Sequence, residues 1–540
     1  MTTIYESTLY RLDDLICDVL IRIIASIESV KDLVSLSATC RYLRTLCVPL
    51  MFSHATRYID RPMKSKRVIL QKFRWPYVRH FKVVDVCPDR MYTVSKGYNG
   101  LMFARDPYLC GVLESPKLFS LLRHMPRLTK ISLIIGQGTF YIHGISLPAL
   151  MSILTLPQLR ELSVIHLLLS QTESASFEDH TIIAPLTLFH HERSVSRRYP
   201  PTDAEKANII LFLTKLCSSL KVLTLPAELV PTEAVSQLDW PRLCELRLRG
   251  AQWTTPSVPY ATLFSRMRDL RVLVLELTLS ADAEPRPILD HDDADDYPWP
   301  HLEELSVSHP VVDDPVYARL PQCLRVLSLS CYPHVAERPF LEGNDPFRPY
   351  GFPLQTSSEM LDILQRCRAR DLSELHLEYR ADESESTLLG FVSSALPKIQ
   401  ILQIYRYRAP NTGDIAVDEF ARLLSSLAEL RVLKVHLDLE NTPLPDFSMR
   451  PAQRGFEEPW AYDDLAMKTF ADDQRVIAET LAGILSPSVK EIHLWWPADS
   501  GRHLWRRFRI DHLADNTEPR RGTWITRDDV IIYADHDLLC

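Results

Sequence analysis

Leu128-Thr129-Lys130-Ile131-Ser132-Leu133 and Leu159-Arg160-Glu161-Leu162-Ser163-Val164 are one phrase written twice: a leucine, two variable residues, an aliphatic, one variable residue, an aliphatic. The same phrase opens at Leu220, Leu243, Leu270, Leu302, Leu324, Leu372, Ile399, Leu430 and Val489, eleven occurrences in all. The steps between starts are 31, 61, 23, 27, 32, 22, 48, 27, 31 and 59 residues. Self-similarity at a near-constant period identifies an architecture before any single motif does. If the three widest steps each hide one degenerate copy, the period is about 28 residues, inside the ~20–29 range of leucine-rich repeats.

Helical spacing precedes most phrases, as in Glu359–Leu364, Phe420–Leu424 and Val476–Leu481. Each unit therefore reads helix, turn, short strand. A unit of this size cannot bury its own leucines, so stability requires stacking on its neighbours. The expected fold class is α/β: a ribonuclease-inhibitor-like leucine-rich-repeat solenoid over residues 78–496, with a curved parallel sheet and outer helices. Val78-Arg79-His80-Phe81-Lys82-Val83 is a degenerate first copy, and residues 497–540, with a strand near Trp524–Tyr533, are expected to cap the last. Polar or proline-rich insertions at 171–202, 281–300, 333–353 and 440–463 read as loops.

Residues 11–57 differ in kind. Leu12, Leu15, Ile16, Val19, Leu20 and Ile23 recur at three- and four-residue steps, as do Leu33, Leu36, Cys40, Leu43 and Leu46. Ser29 and Asp32 supply a cap and an early-turn carboxylate, and Pro49 closes the second pattern. Some 45 residues of helix bury little surface alone, so the unit should place its remaining apolar face on a partner.

These residues, Leu12-Asp13-Asp14-Leu15 through Val19-Leu20, then Lys31-Asp32-Leu33-Val34-Ser35-Leu36 and Cys40-Arg41-Tyr42-Leu43-Arg44, resemble an F-box. The pattern departs at Asp13, where most members have proline. The resemblance implies a three-helix F-box at 11–57 and, with repeats downstream, the substrate receptor of an SCF-type (Skp–cullin–F-box) ubiquitin ligase. Leu12, Leu15, Val19, Leu33 and Leu36 would then contact a Skp-type adaptor, which brings the cullin and RING subunits for ubiquitin-dependent degradation of a target. A non-degradative adaptor-bound scaffold and a repeat-based protein-binding module without ligase role are the alternatives.

A basic linker is expected at 58–77. Arg61, Lys64, Lys66, Arg67, Lys72, Arg74, Arg79 and Lys82 follow one another with no acid between them. A nuclear-localisation signal at Lys64–Arg67 and an anionic docking site are the functional alternatives to a solvated linker.

Composition narrows the function classes. At 540 residues, 46% hydrophobic and net charge −8, the chain is an ordinary globular one, without the basic balance of a nucleic-acid binder. No apolar run approaches the ~20 residues of a membrane span, and Asp13 and Asp14 sit where a signal peptide needs positive charge. Eleven cysteines with no CxxC pair fit reduced thiols, hence a cytoplasmic or nuclear setting. Catalytic, cofactor and metal motifs are expected to be absent. The loop Asp290–Asp296 lacks the glycine and glutamate of a calcium loop, His190-His191 lacks HExxH spacing, Gly136-Gln137-Gly138 is no phosphate loop, and no nucleophile elbow occurs.

The variable phrase residues carry what remains. Strand side chains alternate, so the third, fifth and seventh positions point away from the leucine core. Those positions hold Glu245, Arg247 and Arg249, then Glu374, His376 and Glu378, and further on Gln403, Tyr405, Lys434, His436, His493 and Trp495. His376, Tyr405, His436, His493 and Trp495, with Tyr407 and Trp496 also expected to be exposed, form the expected target-binding surface.

Overall fold

The computed structural model describes residues 16–27, 29–59, 70–85, 116–135, 144–145, 147–166, 168–169, 183–192, 201, 203–253, 258–290, 297–339, 350–410, 413–444, 462–497, 504–512 and 523–533. Leu12, Leu15, the Lys64–Arg67 cluster, Gly136 to Gly138 and nearly all of the 290–296 acidic loop lie outside the described residues. The chain divides into two units, Met1–Phe189 and His190–Cys540.

The first unit opens with three helices, Cys17–Ala25, Val30–Thr39 and Arg41–Met51. Ser29 caps the second, its hydroxyl accepting from the Asp32 N–H at 3.3 Å, as the sequence predicted. The pattern from Leu33 to Leu46 is two helices rather than one. Cys40 is extended (φ −152°, ψ 166°), ends one helix and starts the next, with its Sγ accepting from the Leu43 N–H at 3.4 Å. Pro49 lies inside the last turn and does not stop it, since the third helix ends at Met51. Leu20, Ile24, Leu33, Leu43 and Cys47 form the core, with Ile27, Leu36, Leu46, Leu50 and Met51 packed on it.

The sheet of this unit starts earlier than residue 78. His54–Ile59 pairs in parallel with His80–Asp85, which pairs with Lys130–Ile135, which pairs with Glu161–Ile165. The stretch assigned to the end of the F-box and the start of the linker thus holds a strand.

In the second unit parallel strands follow at Val222–Pro226, Glu245–Ala251, Val272–Ser280, Glu304–Val307, Val326–Leu329, Glu374–Arg380, Ile401–Tyr407, Val432–His436 and Glu491–Trp496. All eleven phrases become strands. The first residue of each, from Leu128 to Val489, is buried, as are the fourth and sixth positions. One carbonyl per repeat takes two N–H groups from the next: the Gln400 oxygen accepts from Arg431 and Val432, the Arg431 oxygen from Lys490 and Glu491. This satisfies the backbone where each chain turn enters the sheet. Outside lie helices such as Ser357–Arg366, started by a capping box of Thr356 and Glu359, Glu385–Ala395 and Val417–Leu424.

The wide steps resolve differently from one another. The 61-residue step contains a further strand, Leu188–Glu192, as a degenerate copy requires. The other two add no strand to the repeat ladder, because Val326 pairs directly with Glu374 and Val432 directly with Glu491, while the short strands Tyr350–Gly351 and Gln355–Thr356 pair at Leu279–Ser280 and Tyr379–Arg380. The last step instead holds the 21-residue helix Asp464–Ile484, capped by Asp463. The insertion after Val272–Ser280 is anchored over its described part. Ile288 and Leu289 are buried, and the buried Asp314 carboxylate accepts from the N–H groups of Ile288, Leu289 and Val316. Leu504–His512 and Thr523–Tyr533 add two antiparallel strands beside Glu491–Trp496.

Candidate functional site

The sheet face away from the helices in the second unit carries three lines of side chains, one per outward phrase position. Register places Glu245, Val272, Glu304, Val326, Glu374, Ile401, Val432 and Glu491 in the first. Arg247, Val274, Ser306, Ser328, His376, Gln403, Lys434 and His493 form the second. Charges on these lines pair with each other. Arg247 bridges Glu245 at 2.6 Å and Glu304 at 3.3 Å, His376 meets Glu374 at 2.7 Å, and His493 meets Glu491 at 2.9 Å. Burial, with Glu245 and Glu374 nearby, still holds the Glu304 carboxyl above its ordinary range despite Arg247. Hydrogen bonding from His376 holds Glu374 below it.

The third line contains Arg249, Glu276, Glu378, Tyr405, His436 and Trp495, and part of it is covered. Arg249 lies between Glu192 and Glu276. Residues 331–338, the start of the proline-rich insertion, lie over Glu378 and Tyr405 as a strap. The Glu378 carboxylate, fully buried, accepts from the Cys331 N–H at 2.9 Å, the Val335 N–H at 2.9 Å, His334 Nδ1 at 2.6 Å and the Tyr407 hydroxyl at 2.9 Å. The Tyr407 oxygen in turn accepts from the Ala336 N–H at 2.8 Å. The His334 ring stacks on Tyr405, centroids 3.9 Å apart. Burial disfavours the His334 imidazolium, but the Glu378 carboxylate outweighs it and raises the histidine above its ordinary value. His436, between Tyr407 and Trp495, is lowered to about 4 by burial.

These contacts correct the expected exposure of the target-binding residues. Alternation does put all five on the helix-free face, and His376 is half-exposed there. Tyr405 is only 1% exposed and Trp495 only 6%, while Tyr407, His436 and His493 are buried. Tyr405, Tyr407, Trp495 and Trp505 form an aromatic cluster against which Val335, Ala336 and Leu354 pack. Large aromatics next to a proline-containing insertion acquired a cover that the alternation rule does not see. Glu378 as the anchor, and His334 as its ring partner, were missed. The only sequence signal was the Tyr332-Pro333-His334 triplet in a segment read as a loop.

The adaptor-contact residues also separate. Leu33 is a buried core residue, and Leu36 is half-buried and packs on that core. Val19 faces outward, at 44% exposure, with Ile16 at 75% and Ile23 beside it at helical spacing. Val30 and Val34 make a second exposed pair on the next helix. These side chains are surplus to the core of the three helices.

The alternating leucines, the parallel in-register strands and the flanking helices define a leucine-rich-repeat fold. No family model matches the sequence, and no curated protein matches it. Among solved structures the chain is similar to the crystal structure of a TLR13–ssRNA13 complex, at 16% identity and a TM-score of 0.27. That likeness covers 73% of this chain and 44% of the other, and at such distance it says nothing about what this chain binds. Among the described residues no helix is long and apolar enough to cross a membrane.

Proposed function

We propose that this chain is the target-recognition subunit of an SCF-type ubiquitin ligase, docking a Skp-type adaptor through its N-terminal helices and a target protein through its repeats. The observation that supports this reading is the pair of exposed aliphatic stripes, Ile16/Val19/Ile23 and Val30/Val34, on helices whose own core is complete without them. Burying an exposed valine or isoleucine is worth up to about 1.5–3 kcal/mol, so a partner covering several gains a substantial driving force. The adaptor-facing set becomes Val19 with Ile16, Ile23, Val30 and Val34, while Leu33 holds the helices together. The adaptor would bring the cullin and RING subunits. The chain itself contributes geometry rather than covalent chemistry, needs no cofactor or metal, and works in the cytoplasm or nucleus. On the repeats, His376 is accessible to a target, whereas Tyr405 and Trp495 enter the contact only where the 331–338 strap moves aside, and His436 and His493 are buried among their own sheet neighbours.

The test is affinity purification of the full chain with detection of adaptor and cullin together. Val19→Asp with Ile23→Asp should abolish both while leaving the melting curve of the chain unchanged. Unaltered adaptor recovery from that variant, or none from the unmodified chain, overturns the proposal.

A further inference from the structure

Charge is distributed unevenly along this chain. Residues 54–189 hold seventeen Lys and Arg against nine Asp and Glu, whereas the whole chain has 61 against 69. Part of that excess is gathered on the sheet face of the first unit. Register aligns His54, His80, Lys130 and Glu161 in one line, and Thr56, Lys82, Ser132 and Ser163 in the next. Lys82 and Lys130 are half-exposed, and Arg79 is exposed at the turn that enters the same strand. Lys130 pairs with Glu161 at 3.2 Å, while Lys82 and Arg79 make no ion pair with any described residue. His80 Nε2 lies 2.9 Å from Ser132 Oγ, with the His54 ring 5.5 Å away. His80 is lowered to about 4, by burial first and then by Lys130, His54 and Lys82, so it is neutral at pH 7 and adds a donor rather than a charge.

We infer that this face, centred on Lys82 and Lys130 with Arg79 and His80 beside them, docks a short acidic segment of a partner polypeptide. The inference rests on the reading that the repeats hold a target protein, and it names the chemistry that target must present. Lys82 and Lys130 occupy diagonal positions on adjacent strands, about 7–8 Å apart. Alternate side chains of an extended peptide project to one side about 7 Å apart, so carboxylates at every second residue match the two ammonium groups. His80 beside them is half-buried, held by the buried Ser132 hydroxyl, and brings no charge that would oppose a carboxylate. A long nucleic acid is the poorer occupant. The patch is two or three cations wide, and the net charge of −8 repels a polyanion extending past it.

Purified full-length chain is titrated with a fluorescein-labelled peptide of alternating glutamate and serine, read by anisotropy at low and at physiological salt. Binding is expected for the unmodified chain, weakening as salt rises. Lys82→Glu with Lys130→Glu should weaken it by about tenfold or more, and Lys82→Arg with Lys130→Arg should retain it. Lys82→Gln with Lys130→Gln serves if circular dichroism shows the glutamate pair misfolded, and it should also weaken binding. Equal affinity in the charge-removed variant, no binding by the unmodified chain, or tighter binding of an RNA oligonucleotide of equal charge overturns the inference. Adaptor recovery measured on the same variants separates this outcome from failure of the ligase reading, because the peptide titration contains no adaptor.

Discussion

Replacing Glu378 by alanine should release the strap over the Ile401–Tyr407 end of the sheet. Three of the four groups that donate to its carboxylate come from the strap itself: the N–H groups of Cys331 and Val335 at 2.9 Å and the His334 ring at 2.6 Å. Hydrogen bonds to a charged acceptor contribute ~1.5–3 kcal/mol each, and an N–H left buried without a partner costs ~1–3 kcal/mol. The whole sum is not lost, because the strap can undock and rehydrate its amides, which caps the penalty at its docking free energy. A loss of about 3 kcal/mol is the working figure, equivalent to roughly a hundredfold in an opening equilibrium. Hydrogen–deuterium exchange followed by mass spectrometry reads it directly. Amides of residues 331–336 should exchange roughly a hundredfold faster in Glu378→Ala, while the Glu374–Arg380 strand stays protected as internal reference. Unchanged protection at 331–336 would refute the claim that this carboxylate holds the strap. The same amides report pH. His334 is raised above its ordinary 6.5, so its contribution is full below about pH 6.5 and is lost as pH rises through the folded-state value.

Other changes should be equally diagnostic. Leu246→Ala or Leu375→Ala, each at a buried fourth phrase position, should cost on the order of 2–5 kcal/mol in denaturant unfolding by leaving a cavity; a change near zero would mean the assigned register is wrong. Leu33→Asp should unfold the three N-terminal helices rather than remove a partner contact, visible as lost helical signal and fast proteolysis before residue 54. Asp314→Ala should free residues 281–290 to proteases by leaving the Ile288, Leu289 and Val316 N–H groups without their acceptor, and resistance equal to that of the unmodified chain would count against it. His436, lowered from 6.5 to about 4, is held neutral when folded, so stability should fall by up to roughly 3 kcal/mol as pH drops through that window, and His436→Gln should flatten the loss.

The strand phrases were legible because leucine at the first, fourth and sixth positions is a packing requirement repeated eleven times. Insertions were not, because a degenerate repeat and a decorated loop lengthen the spacing alike. Leu188-Phe189-His190-His191-Glu192 turned out to be a repeat strand, whereas the steps after Leu324 and Leu430 hold a strap and a long helix. Alternation correctly placed His376, Glu378 and Tyr405 on the sheet face away from the helices. It could not say what else would settle on that face, since the cover comes from residues some 70 positions earlier, as in the Ala336 to Tyr407 hydrogen bond. On the helices, apolar spacing marked Val19 and Leu33 alike. Which faces inward depends on how the break at Cys40 turns the third helix back onto the second.

The two antiparallel strands after Trp496 bear on how copies of this chain meet. A row of parallel strands ends in an edge of unpaired amides and carbonyls, a template on which an identical row could continue indefinitely. Here Leu504–His512 takes that edge against the direction of the repeats, and Thr523–Tyr533, antiparallel to it in turn, runs with them. Any incoming repeat strand would meet Thr523–Tyr533, which carries no copy of the leucine phrase, instead of the edge of the last repeat. The edge of the last repeat is thus occupied from within the chain, and removing residues 504–533 should expose it and make the protein self-associate in proportion to its concentration.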